Sequence, residues 1–262
     1  HCTDDKLIKH CADPPEQGPS GTTCKVGGYL FSGNGYYYSK IQMDFVRNNC
    51  KRSCKTCQVG TTKYICPSKG VHLGIGSTVQ SSTATKGGGA MSADLCSIEM
   101  SNTSIVNSTS TNGNGGAILL ALGSTLRVDK SSRFANNKAV KGSGGAIACT
   151  ECDLLLFNHS TAFEYNYAGL EGGAVHLATP ANKISSAGSN FIGNTATVNG
   201  GAIHSYQGDW TSTGDRFEEN SAVLGSGGAL SMTASHLNLD ATTTCQNNRA
   251  NNGGGGCLLW ES

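Results

Sequence analysis

From about residue 85 onward, apolar residues come in short runs set between Gly, Asn, Ser and Thr. Thr125-Leu126-Arg127-Val128 and Asp153-Leu154-Leu155-Leu156-Phe157 are representative. The runs are rich in strand formers and bounded by turn residues. None sustains a 3.6-residue spacing over the roughly ten residues a helix needs, so they predict strands of about four to six residues. The runs also recur. Gly-Gly-Ala followed by an apolar residue begins at Gly88, Gly115, Gly144, Gly172, Gly200 and Gly227, and Gly255 continues it with Cys257 in the Ala slot. The steps are 27, 29, 28, 28, 27 and 28 residues. A second motif, Phe-x-x-Asn-x-Ala, keeps the same interval: Phe134-Asn137-Ala139, Phe163-Asn166-Ala168, Phe191-Asn194-Ala196 and Phe217-Asn220-Ala222, then Cys245-Asn248-Ala250 with Cys in the Phe slot.

A period in this range marks one structural unit stacked on copies of itself. Three short strands and three turns fit the unit, which predicts an all-β fold, a parallel β-helix of about seven coils over residues 85–262. Equivalent residues of successive coils then lie about 4.8 Å apart, for a core roughly 35 Å long. Phe134, Phe163, Phe191 and Phe217 are expected to form an interior aromatic stack. Ile118, Ile147, Val175, Ile203, Leu230 and Leu258 are expected to form an aliphatic one. Asn137, Asn166, Asn194, Asn220 and Asn248 should stack at a corner, their amides bonded to one another or to turn backbone. The glycine pairs supply positive φ or close backbone approach. A looser column, Ile98, Leu126, Ile184, Trp210 and Leu237, follows ten to twelve residues after the glycines.

The paired GGAI and FxxN motifs resemble the repeats of the chlamydial polymorphic membrane proteins, from about Gly87 to Leu259. The resemblance implies a right-handed β-helix that is exported and adhesive or structural. Unlike those proteins, the sequence shows no outer-membrane barrel after the repeats, and it carries many cysteines at its front.

Six of the 12 cysteines, Cys2, Cys11, Cys24, Cys50, Cys54 and Cys57, fall in the first 57 residues. That segment is too short to build a large core, so residues 1–58 read as a disulfide-stapled module, with 59–84 as a linker or first cap. The run Phe45-Val46-Arg47-Asn48-Asn49-Cys50-Lys51-Arg52-Ser53-Cys54-Lys55-Thr56-Cys57 resembles the ShK-type toxin domain, a short-helix module ending in Cys-x3-Cys-x2-Cys. The resemblance implies the pairs Cys2–Cys57, Cys11–Cys50 and Cys24–Cys54. The segment departs from that family in a long insertion, Gly27 to Lys40, and has no adjacent Lys-Tyr between Cys24 and Cys57. A zinc site from Cys50, Cys54, Cys57 and His10 is the competing chemistry.

The remaining cysteines are again even in number. Cys245 and Cys257 both occupy motif positions of the last coil, which predicts a staple across it. Cys149 and Cys152 predict a small loop staple, since Cys-x-x-Cys redox chemistry needs a strand–turn–helix setting. Cys66 and Cys96 are left to tie the linker to an early coil. Complete pairing argues for an oxidising, extracellular compartment. Asn102, Asn107 and Asn158 fit the N-glycosylation acceptor pattern. The chain begins at His1 and is expected to be a processed product. The longest apolar run, Ala117 to Leu122, falls far short of the roughly 18 residues of a membrane span.

Chemistry-bearing residues are sparse. Asp153 and Asp209 share an offset of nine from their glycines, two coils and about 10 Å apart, a spacing compatible with an inverting glycosidase pair. No third acid, Gly-His-Gly or Arg-x-Lys accompanies them. His176 and His204 share an offset of four in adjacent coils and should stack about 5 Å apart. Without a carboxylate or Cys they make an incomplete metal site, so stacked surface histidines are expected and no metal or other cofactor is assigned. No Gly-x-Ser-x-Gly elbow or phosphate-binding loop is present, and no regular Thr-x-Thr column suggests ice binding. A net charge of +1, with 14% charged residues and no basic stripe, argues against nucleic acid and anionic membranes as partners. The expectation is a non-catalytic extracellular structural or adhesive protein that polymerises with itself through its β-helix and contacts surface glycans. The alternative is a carbohydrate-binding or polysaccharide-degrading β-helix.

Overall fold

The computed structural model describes residues 64–65 and 70–261, apart from positions 130, 159 and 179–182. The fold over these residues is an all-β parallel solenoid of about seven coils, with no helix among them. Each coil contributes one strand to each of four sheets, where the repeat length predicted three. Sheet I has eight strands and sheets II, III and IV have seven each. In one central coil the strands are Ile147–Thr150, Leu154–Asn158, Ala162–Glu164 and Tyr167–Ala168. The fourth strand is only two residues long. It pairs in register with Lys138–Ala139 and Thr195–Ala196, so the Asn-x-Ala end of the motif is a corner followed by a strand.

The first coil lies within residues 59–84, read as a linker or first cap. Val71–Leu73, Thr78–Gln80 and Thr83–Ala84 pair with sheets II, III and IV of the following coil. The ShK-like module, including Cys2, Cys11, Cys24, Cys50, Cys54 and Cys57, falls outside the described residues.

Register converts motif positions into columns. Phe134, Phe163, Phe191 and Phe217 pair residue for residue. Their rings are stacked, with centroids 5.0, 4.8 and 4.8 Å apart. Ile118, Ile147, Val175, Ile203, Leu230 and Leu258 form the inward column of sheet I. Ile98, Leu126, Leu155, Ile184, Trp210 and Leu237 form that of sheet II. All four phenylalanines and nearly all the aliphatics are fully buried.

The corners need backbone that turns sharply while its polar groups stay satisfied. Most corners carry one residue at left-handed φ, and the corner at Leu122 carries a second, Gly123. Between sheets I and II the first such residue is Leu95, Leu122, Glu151, Gln207 or Ala234; between III and IV it is Ser81, Asn107, Asn136, Tyr165, Gly193, Glu219 or Asn247. At the corner before sheet I the two glycines divide the work. The first, Gly172 in one coil, has φ +64°. The second, Gly173, has no room for a Cβ, which would collide with the carbonyl oxygen of Gly201 in the next coil. Polar ladders satisfy the corner backbone. Along the Asn column each Oδ1 accepts the backbone N–H and one side-chain N–H of the Asn before it; Nδ2 also donates to the carbonyl of the residue in the Phe slot one coil back.

Cys149–Cys152 and Cys245–Cys257 are disulfides, with Cα–Cα distances of 5.6 and 6.2 Å. The second joins the Phe slot to the Ala slot across the last coil. Cys96 is also disulfide-bonded; its expected partner, Cys66, lies outside the described residues.

Candidate functional site

Strand residues alternate faces, so the residue after each inward aliphatic of sheet I should face solvent. The column so defined is Ser92, Leu119, Ala148, His176, His204, Ser231 and Leu259. Yet His176 and His204 are only 7% and 6% exposed. The glycine corner folds back over this face and covers it. In the first complete glycine coil the N–H of Gly88 donates to Ser92 Oγ at 2.8 Å, directly over the column. Among the described residues of that sheltered strip, only His176 and His204 place two titratable side chains one above the other.

The two imidazoles are nearly parallel, 9° between planes, with centroids 5.4 Å apart. Glu171, just ahead of Gly172, reaches them from the covering corner. Its Oε2 lies 3.6 Å from His204 Nε2. Its Oε1 accepts from Asn199 Nδ2 at 3.3 Å. His204 Nδ1 contacts Ser231 Oγ at 3.2 Å. His176 Nδ1 is enclosed and has no hydrogen-bond partner. One ligand atom from each of Glu171, His176 and His204 falls within 4.8 Å of the other two. Burial, and secondarily the neighbouring His204, lowers the His176 pKa to about 3. Burial also lowers that of His204, opposed by Glu171 and Glu261. Both shifts favour the neutral imidazole, a form that keeps one unprotonated ring nitrogen.

The histidine pair is legible from its shared offset. The carboxylate is not, although a weak signal exists. The position before the first glycine is polar in five consecutive coils, Asn114, Ser143, Glu171, Asn199 and Ser226. These side chains form a second ladder along the rod. Asn114 Oδ1 accepts Ser143 N–H, Ser143 Oγ accepts Glu171 N–H, Asn199 Oδ1 accepts Ser226 N–H, and Ser226 Oγ accepts Gly254 N–H. Glu171 is the charged member of that ladder.

The other acids are placed differently. Asp209 lies 3.5 Å from His236, both exposed, and Asp153 lies against the turn at Gly123. Asp215 is buried, where it accepts hydrogen bonds from Ser212 Oγ and the Ser189 N–H. Burial raises its pKa. Asp240 holds the turn after Leu239, accepting the N–H of Gly214 from the preceding coil at 2.9 Å. That bond first, then the Thr242 hydroxyl, lowers its pKa to about 2 from 3.8. A depressed carboxylate lends stability above its unfolded pKa and loses it on protonation in the fold. The expected result is an Asp240 carboxyl that titrates near pH 2 by NMR, with the turn amide of Gly214 shifting in step. Titration near 3.8 would show the capping bonds to be absent in solution.

Of the glycosylation candidates, Asn102 and Asn107 are exposed at left-handed corners. Asn158 is half-buried, and its Nδ2 donates to Asp129 Oδ1 at 2.9 Å. No helix among the described residues is long and apolar enough to cross a membrane.

Comparison with known proteins agrees with the repeat geometry. The family model for the Chlamydia polymorphic membrane protein (Chlamydia_PMP) repeat matches residues 131–150 and 188–206. Each stretch runs through an inward Phe or glycine-pair strand of the solenoid. A search of curated proteins and a search of solved structures give no match. The chain is thus similar, over two of its coils, to a repeat found in bacterial membrane-associated proteins.

Proposed function

We propose that this protein is a non-catalytic structural and adhesive element of an extracellular surface. The observation that carries the reading is the unbroken register of four sheets from Val71 to Glu261. The interior is filled by stacked side chains, so the molecule acts as a stiff spacer whose outer faces and corner loops are free to vary. Similarity to the polymorphic membrane protein repeat supports a place at a cell surface, as do the disulfides. Surface glycans are the partner class, and Asn102 and Asn107 carry glycans of their own.

Self-association is part of the proposal. The strands Leu237–Leu239, Thr244–Gln246, Arg249–Ala250 and Leu258–Glu261 pair on one side only. Leu239 and Trp260 are exposed there. Such a face accepts a further coil or a second copy. The disulfide-intact chain at micromolar concentration is expected to form end-to-end oligomers by light scattering and electron microscopy, and Trp260→Lys is expected to shift them to monomer. A concentration-independent monomer would remove the assembly part. Turnover on a polysaccharide panel would replace the non-catalytic reading with the alternative, a carbohydrate-acting β-helix.

A further inference from the structure

We propose that Glu171, His176 and His204 form a binding site for a divalent transition-metal ion, with Zn(II) the best-suited, that clips two successive coils together. Three observations meet there. The donor set is two imidazoles and one carboxylate, which is a recognised three-ligand combination for zinc that leaves a fourth position for water. Their ligand atoms lie within 4.8 Å of one another. His176 Nδ1 is enclosed with no protein partner, although buried polar atoms are normally paired. A bound ion, drawing the ring round to ligate through one nitrogen, gives that side chain the partner the fold lacks.

The surroundings suit the task. Burial favours the neutral imidazole at both rings, the form that ligates. Ser231 Oγ fixes His204 through Nδ1, which leaves Nε2 for the ion. Asn199 holds one oxygen of Glu171, which leaves Oε2 on the histidine side. Outer partners of this kind orient metal ligands. An ion bonded to three ligands at 2.0–2.2 Å spaces them about 3.4 Å apart, so binding draws the set together by up to about 1.4 Å. Glu171 is 30% exposed, so the site has an entrance from solvent on the carboxylate side. His176 and Glu171 belong to one coil and His204 to the next. The ion therefore bridges coils, as do the Asn ladders, but reversibly.

The test uses the full chain with its disulfides intact, freed of metal by chelator. Zn(II) titrated calorimetrically is expected to bind with one-to-one stoichiometry and raise the unfolding temperature, since a ligand specific for the folded state stabilises it. Co(II) is expected to give the visible absorption of four-coordinate cobalt. His176→Leu and His204→Ala are each expected to abolish both signals. Leu119 and Ala148 occupy the same column, so these variants retain a side chain the column already accepts, and circular dichroism checks that they fold. Ser231→Ala is expected to weaken binding about 10-fold through loss of the outer partner. Zinc binding that survives in folded His176→Leu and His204→Ala, or no binding by the unaltered chain, overturns the site.

Discussion

Phe163→Ala is expected to lower the unfolding free energy by about 3–5 kcal/mol, the range for a fully buried aromatic cut back in a core that cannot collapse around the void. Phe163 is in the middle of its column. Phe134 and Phe191 stack on its two faces at 5.0 and 4.8 Å, and Phe157 meets it edge-on at 5.0 Å. Its strand is fixed on both sides by register with Arg133–Ala135 and Asn190–Ile192. The neighbouring coils cannot move in to fill the gap without breaking those ladders. Phe163→Leu keeps most of the volume and is expected to cost less than about 1.5 kcal/mol. Leu224→Ala, at a side chain 59% exposed, is expected to stay within about 0.5 kcal/mol. Urea unfolding of the three variants checks the order. A Phe163→Ala protein as stable as Leu224→Ala would mean that the column is not the core.

The columns were legible because a solenoid repeats its environment. A position that faces the core in one coil faces it in the next, and the sequence shows it as Phe134, Phe163, Phe191 and Phe217, with Val79 and Ile105 before them and Cys245 after them in the same column. The fourth sheet was not legible, for the opposite reason. Its strands are two residues long, such as Tyr167–Ala168, and two residues display no alternation. Only the column Ala139, Ala168, Ala196 and Ala222 marks it, and a lone Ala reads equally well as a turn.

The inward face of sheet II is irregular in sequence because volume is exchanged between positions. Phe157 is followed in its column by Ser186 and Ser212. In the adjacent column Trp210 provides the bulk, 6.2 Å from both Phe157 and Phe191. Packing conserves filled space over several residues, which single-position periodicity does not report.

The candidate metal site divides in the same way. His176 and His204 share a strand position and so share an offset. Glu171 comes from a corner whose shared requirement is only a side chain that accepts a hydrogen bond from the next coil, from a backbone N–H at Asn114, Ser143, Asn199 and Ser226 and from the Asn199 amide at Glu171. Asn, Ser and Glu all meet it, so the column reads as polar noise until the corner is seen to fold over the histidine face. The same folding back makes an outward strand position buried. Strand alternation alone assigns His176 to the surface, and the glycine pair is what reverses the assignment.

Asn194→Ala should be nearly as damaging as the loss of an aromatic, although it removes no apolar surface. Asn194 Oδ1 accepts both the backbone N–H and a side-chain N–H of Asn166, at 3.0 and 2.9 Å. Its Nδ2 donates to the Phe163 carbonyl and to Asn220 Oδ1, at 2.9 and 3.0 Å. All of this is buried. Truncation strands two donors of Asn166 and withdraws a donor from Phe163 and Asn220. At about 1–3 kcal/mol for each buried group left unpaired, the expected loss is about 3–5 kcal/mol. Asn194→Asp separates the two halves of that role. An ionised carboxylate still accepts from Asn166, but it donates nothing and sets its charge against the Phe163 carbonyl and Asn220 Oδ1. A protonated carboxyl regains one donor. Relative to the unaltered chain, Asn194→Asp is therefore expected to be least stable near pH 7 and to recover part of the loss as the pH falls towards 5. Burial holds its carboxyl above the usual range, so the neutral form appears in that window. Urea titrations of both proteins across that interval measure the difference. A gap that stays constant or widens on acidification would show that the column at this corner serves as an acceptor only, and that its amide donors contribute nothing to holding one coil on the next.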